Sequence, residues 1–324
     1  MALFAIVIAL LLEQIRPLGA QSLAARQLRV WTRQTAANTD AGTALHGWLA
    51  WSLAVVLPAV LAAAIHLLAL WAGGWLLALA WNVVVLYLTL GFRQFSHHFT
   101  TIRDALEAGD DERARQLLAR WQGGDTSRLG RGDVLRQVIE TSVLAAHRHV
   151  FGVLACYGAL AMLGLGPAGA VLYRNAEFVR RYWQRHQAAG DAPVSQALLQ
   201  AARSAWRAVD WLPARMTALG FAIVGSFEDA IDCWRNFAAR FADPNEGVIL
   251  AATAGAIDVQ LGGGAMRPQP AASAASIEAV RAAEGLPGQP PQLAHLTRVV
   301  GLVWRVVVLW LFLLALLTLA HVLG

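Results

Sequence analysis

The chain has 324 residues, 57% of them hydrophobic and only 15% charged, with a mean hydropathy of +0.48. That balance belongs to a protein whose solvent is largely lipid and excludes a soluble domain with an ordinary polar surface. All 26 cations are arginine against 21 acids, a net charge of +5, so without lysine the chain builds neither a Walker A phosphate loop nor a Schiff base.

The arginines alternate with acids in the polar segments instead of forming a stripe, and no nucleic-acid partner is expected. Cys156 and Cys233 lie far apart with no CxxC spacing and read as inert thiols.

Met1–Leu12 is apolar without a basic leader and extends through Glu13–Ile15, so it reads as an uncleaved anchor helix, a span near 1–15. Gly47–Leu70 is a continuous apolar run edged by Trp48, Trp51 and Trp71, amphipathic rings suited to headgroup level, and predicts a span near 48–71. After Gly73-Gly74 a second run predicts a span near 75–91, and so short a glycine link makes the two an antiparallel hairpin. His66 inside the first run is expected to be a neutral, hydrogen-bonded residue of the bundle.

From Gly91 to Gly109 the pattern is amphipathic, and Gly109-Asp110 reads as a helix stop followed by an N-cap. The next helix carries Asp111 and Glu112 at its positive end and Arg120 at its negative end. Asp133–Leu163 begins polar and turns apolar near Val150, and Gly164, Gly166 and Pro167 break it before a helix to about Gln187, giving a hairpin over 134–187. Trp211–Gly225 and Val248–Leu261 are short for spans and read as membrane-docked helices of a polar unit. Residues 264–292, proline-rich among Ala, Ser and Gly, are expected to form a mobile loop. The last span lies near 299–322, with Arg305 close enough to its end to snorkel.

Segments 13–46, 93–148 and 173–298 are rich in arginine and are expected to share the cytoplasmic side. One crossing at 150–172 would place the third segment outside, so the hairpin is read as re-entrant or membrane-docked. The chain thus reads as one all-α, polytopic membrane domain over 1–324 with a cytoplasmic-side helical unit. It is expected to be multi-pass in a bacterial-type inner (plasma) membrane, with membrane lipids as partners; the residues do not set its oligomeric state.

His97-His98 and His147-x-His149 lack the i, i+4 spacing of two helical ligands on one metal, so no metal site is expected and interface hydrogen bonding is assigned to them. His97, Thr101 and Asp104 share one helical face as a polar row. Gly123-Gly124-Asp125-Thr126-Ser127 is a turn that can hold an anion or a magnesium-bound phosphate, or equally cap and link two helices. Arg215 stands in the first turns of a helix, where the dipole disfavours a cation, and this points to an anion or an acid such as Asp210 as its partner. Gln260-Leu261-Gly262-Gly263-Gly264 reads as a backbone stop after an apolar helix.

In this order the pieces resemble the CobD/CbiB family of cobalamin-biosynthesis membrane proteins and, more remotely, AmpE-type membrane proteins. The resemblance rests on Gly124-Asp125-Thr126-Ser127, Val138-Ile139-Glu140-Thr141, Asn175 after the hairpin, Leu212-Pro213-Ala214-Arg215, and Pro244-Asn245 ahead of Gln260-Leu261-Gly262-Gly263. It implies amide attachment of aminopropanol, or its phosphate, to cobyric acid, with a corrinoid ligand and with Mg²⁺ and ATP as the cofactors of an active ligase. By resemblance Asp125, with Thr126 and Ser127, would hold phosphate or Mg²⁺, and Glu140 would act as acid, base or metal ligand. Asn175, Arg215 and Gln260 would orient a carboxylate or phosphate. Where the family has further acids, this chain has Ser142–Ala146, His147-Arg148-His149 and Phe178. That departure marks a divergent member of the family and supports the alternative of a non-catalytic AmpE-like protein that signals or scaffolds.

Overall fold

The computed structural model describes residues 1–15, 23–189, 194–263 and 286–323, and among these the architecture is all-α. In chain order the helices are α1 (Ala2–Ile15), α2 (Leu23–Thr39), α3 (Ala44–Trp51), α4 (Leu57–Thr89), α5 (Phe92–Glu107), α6 (Asp111–Gln122) and α7 (Arg131–Ala146). They continue as α8 (Gly152–Met162), α9 (Ala168–Ala189), α10 (Gln196–Val209), α11 (Trp211–Val224), α12 (Phe227–Phe237), α13 (Pro244–Ile257) and α14 (Leu293–Leu323). π-helical turns at Ser52–Val56 and His147–Phe151 join α3 to α4 and α7 to α8. Among the described residues, three stretches are long and apolar enough to cross a membrane: Ala44–Thr89, Arg131–Met162 and Leu293–Ala320. The contacts divide the chain into two compact units, one of 1–94 and 148–213 and the other of 95–147 and 214–324. Of the expected loop 264–292, residues 264–285 lie outside the described residues.

The first unit is organised by two hairpins. The long apolar stretch bends at Gly74, whose φ of 66° lies in the left-handed region that glycine enters without steric cost. Trp81 Nε1 donates to the Ala62 carbonyl at 3.0 Å and Asn82 Nδ2 lies 3.0 Å from His66 Nδ1. Contacts paired about residues 73–74 require antiparallel limbs, as the glycine link predicts. Trp71 at the turn is 86% exposed, a ring suited to the headgroup layer. In the second hairpin, α8 and α9 approach so closely that a Cβ on Gly169 would sit 1.9 Å from the Cys156 carbonyl oxygen. The tip of this hairpin meets the first at His66, against which Gly166 is pressed. Tyr157 donates to Asn82 Oδ1 at 3.1 Å, so His66, Asn82 and Tyr157 form one buried polar chain between the hairpins. A buried polar group in an apolar bundle is tolerable when its partners are built in, and here they are. Ser195 N donates to Asp40 Oδ2 and fixes the start of α10 beside the link from α2 to α3.

The second unit is built around α13, buried on every side from Gly247 to Ile257. Asp243 caps its start by accepting from the N–H groups of Asn245 and Glu246, with Pro244 in the first turn. The helix stops at Ile257, earlier than the apolar run to Leu261 suggests. Asp258 takes the left-handed conformation there (φ 52°), a position glycine usually fills. α12 packs on α13, and α14 lies against α11, where Gly220 admits Val306 and Trp310. Arg305 does more than reach toward water: its Nη1 donates to the Val224 carbonyl at 2.8 Å, and Arg298 Nη1 reaches the Ile257 carbonyl. The two arginines thereby satisfy orphan carbonyls at the negative ends of α11 and α13. Asp110 caps α6 through Arg113 N, as the sequence suggests, and Gly123 ends it in the left-handed conformation.

Candidate functional site

In the second unit, α7 carries Glu140 on its buried face, and Glu140 Oε1 accepts a 2.7 Å hydrogen bond from the Gly262 N–H. The bond joins residues 122 positions apart and brings the Glu-Thr motif against the Gln260–Gly263 motif. The strip holding Gln260 is fixed from its far edge: Gln260 N donates to the Gln289 carbonyl and Leu286 N to the Leu261 carbonyl, each at 2.8 Å. Arg136, one turn before Glu140, pairs with Asp133 at 2.6 Å, and its guanidinium is so close that a Cβ on Gly263 would lie 2.7 Å from Cζ. Glu140 therefore faces a wall of backbone with a cation at its edge.

Arg215 Nη1 donates to Asn245 Oδ1 at 3.2 Å, which joins the Leu-Pro-Ala-Arg and Pro-Asn motifs. Asp210, the acid that the sequence offers as its partner, accepts from the Tyr173 hydroxyl at 2.8 Å in the first unit. The turn after α6 is split in its roles. Thr126 is buried and donates to the Arg115 carbonyl at 2.7 Å. Asp125 is exposed and accepts from Ser127 N at 2.9 Å. The backbone and side-chain hydrogen bonds of Ser127 hold the Asp125 carboxyl below the usual carboxylate range. Gln122 Nε2, just before this turn, donates to Thr141 Oγ1 at 2.5 Å, so the turn is tied to the residue after Glu140. The second unit also holds a bond between His147 Nδ1 and Thr217 Oγ1.

Asn175 belongs to the first unit, buried on α9 next to Arg174. Beside it stands a charged group that the sequence motifs do not include. Glu177 is 3% exposed and its carboxylate is paired with Arg174 and with Arg181. Burial alone would raise its pKa, but Arg181 and then Arg174 outweigh it and hold the carboxyl below the usual range. The spacing Arg174, Glu177, Arg181, at i−3, i and i+4 on a helix, is the signal that could have found it.

Magnesium is implied by the family resemblance, and the donors can be tested for it. Among the described residues no three His, Cys, Asp or Glu side chains gather as a ligand set. Asp125 is engaged by its own turn and Glu140 by backbone, so these residues do not fit a protein-built magnesium centre.

The model of the CobD/Cbib protein family matches residues 3–303. The cobalamin biosynthesis protein CobD of Stutzerimonas stutzeri (strain A1501) is 34% identical over 228 residues, 68% of this chain and 68% of that protein. The protein of the same name from Chromobacterium violaceum is 36% identical over 186 residues, 56% of this chain and 55% of the relative. The one from Mycobacterium tuberculosis (strain H37Rv) is 33% identical over 177 residues, half of each chain. No solved structure matches. With the family model spanning nearly the whole chain and a relative matched over two thirds of both lengths, the chain belongs to the CobD/CbiB family.

Proposed function

We propose that this chain is a multi-pass protein of a bacterial inner membrane that acts in cobalamin biosynthesis. There it joins aminopropanol, or its phosphate, to a carboxyl side chain of a corrinoid. The observation that carries the reading is the Glu140–Gly262 hydrogen bond, which fixes a buried carboxylate where two family motifs meet. Amide formation needs an amine that gives up a proton as its nitrogen attacks an activated carboxyl carbon, and a positioned carboxylate is a suitable acceptor. With Oε1 fixed by backbone, the other oxygen of Glu140 takes that proton. Activation of the carboxyl group belongs to ATP by the family resemblance, and the chain's own residues supply the proton acceptor and the contacts that orient the reactants. By the family resemblance Arg215, which Asn245 orients, would meet a carboxylate or phosphate, and in the same unit the Asp125–Ser127 turn and Gln260 would contribute further polar groups.

The hairpin supports a re-entrant path with the arginine-rich segments on the cytoplasmic side. Its tip meets His66, eight residues before Gly74, so about 12 Å of helix remains between tip and turn at 1.5 Å per residue. The reading is tested by growth of a strain lacking its own CobD/CbiB enzyme with cobyric acid as corrinoid source. Rescue by this chain, abolished by Glu140→Ala, is expected. No rescue with the protein present in the membrane would sink the ligase and leave the non-catalytic, AmpE-like role.

A further inference from the structure

The arginines around Glu177 outnumber the acid they share. On α9, Arg174 Nη1 lies 3.1 Å from one carboxylate oxygen, and Arg181 Nε touches the other. Arg148, from the π-helical turn before α8, adds to the positive field at the same carboxylate. The Glu177 side chain is 4% exposed, whereas Arg174 and Arg181 keep 23% and 33%. One acid is thus sealed inside while the arginine side chains that grip it keep part of their surface exposed.

Two guanidiniums on one buried carboxylate leave a positive charge over, and their mutual repulsion is poorly screened where water is scarce. Burial weighs most on the charge of Arg181; Glu177 then attracts it, while Arg148, Arg174 and Arg180 repel it. Arg180 has another engagement, over the Trp206 ring at 5.2 Å. A purely structural ion pair needs only one arginine, whereas each guanidinium is a planar fork of five donors and Glu177 uses few of them.

We infer that Arg174 and Arg181 form a phosphate-binding site, with Glu177 holding their forks in place. Two planar forks held on one carboxylate suit a tetrahedral group that accepts on several oxygens at once. The phosphate is that of a lipid headgroup or of a small soluble ester. The inference stands apart from the amide-forming reading, because that reading rests on Glu140 and either can fail alone.

The test modifies arginines of the full-length protein with phenylglyoxal and reads each site by mass spectrometry. In a neutral, phosphate-free detergent, Arg174 and Arg181 are expected to react. Inorganic phosphate should slow them by about tenfold, a change equivalent to one well-made charged contact, while exposed Arg113 is unaffected. Protection by inorganic phosphate assigns a soluble ligand, and protection only in phosphatidylglycerol vesicles assigns a lipid headgroup. Absence of protection in both, or absence of reaction in the free protein, overturns the site. Arg174→Gln and Arg181→Gln, where they fold, should each lose the phosphate-dependent rise in melting temperature; unchanged rises in both also overturn it. If neither variant folds, the footprint of the natural chain still decides.

Discussion

Glu140 in the second unit and Glu177 in the first are both buried glutamates on helices, yet their surroundings differ in kind. Glu177 is gripped by two guanidiniums, and Glu140 is held by one backbone N–H. An acid already neutralised by ion pairs is a poor proton acceptor and a good clamp. An acid fixed by an uncharged donor keeps its proton chemistry. The same residue type thus holds charge in one unit and, in the proposed function, receives a proton in the other.

The contrast breaks first under conservative substitution. Glu140→Gln keeps the shape and an oxygen for Gly262 but cannot take a proton, so amide formation should fall by about 10²- to 10⁴-fold with melting little changed. Glu177→Gln should do the reverse, because it strands two cations. A loss of about 3 kcal/mol is expected in denaturant unfolding, at the low end for a broken buried pair since both arginines are partly open. Loss of activity without loss of stability in Glu177→Gln would erase the distinction.

Acid sharpens the comparison. Glu177 has a folded pKa below its unfolded value, so its stabilisation is fully present above the unfolded pKa and is lost as pH falls toward the depressed folded value. The natural chain should lose stability on acidification below about pH 4.3, the ordinary glutamate value, more steeply than Glu177→Gln. Parallel acid limbs for the two proteins would contradict this.

Gly169→Ala should cost about 1–3 kcal/mol through overpacking, since its Cβ would meet the Cys156 carbonyl. Thr126→Val, which removes only the bond to the Arg115 carbonyl, should cost about 1 kcal/mol in the same unfolding measurement. A Thr126 effect larger than that of Gly169 would point to a role for the turn beyond structure.

Local chemistry explains what is legible in the sequence. Gly73-Gly74 between apolar runs, and Asp110 after Gly109, are decided within a few residues, and the chain folds there as those residues dictate. The end of α13 is different: the glycines at 262–263 carry the obvious stop signal, but the helix ends at Asp258, whose left-handed backbone is held by tertiary bonds to residue 289. The contacts Glu140–Gly262 and Arg215–Asn245 join distant segments and leave no trace in periodicity, so only family resemblance could group those motifs. Glu177 has partners at helical spacing and is readable in principle, but the family pattern points one residue on, to Phe178.

The most direct measurement incubates the purified chain in lipid discs with cobyric acid, aminopropanol or its phosphate, ATP and magnesium, and follows the corrinoid by mass spectrometry. The expected result is a mass gain equal to the amine less one water with the natural chain, and almost none with folded Glu140→Gln. Equal product from both proteins, or none from a natural chain shown to be folded, would contradict the assignment of Glu140 as the group that receives the amine proton.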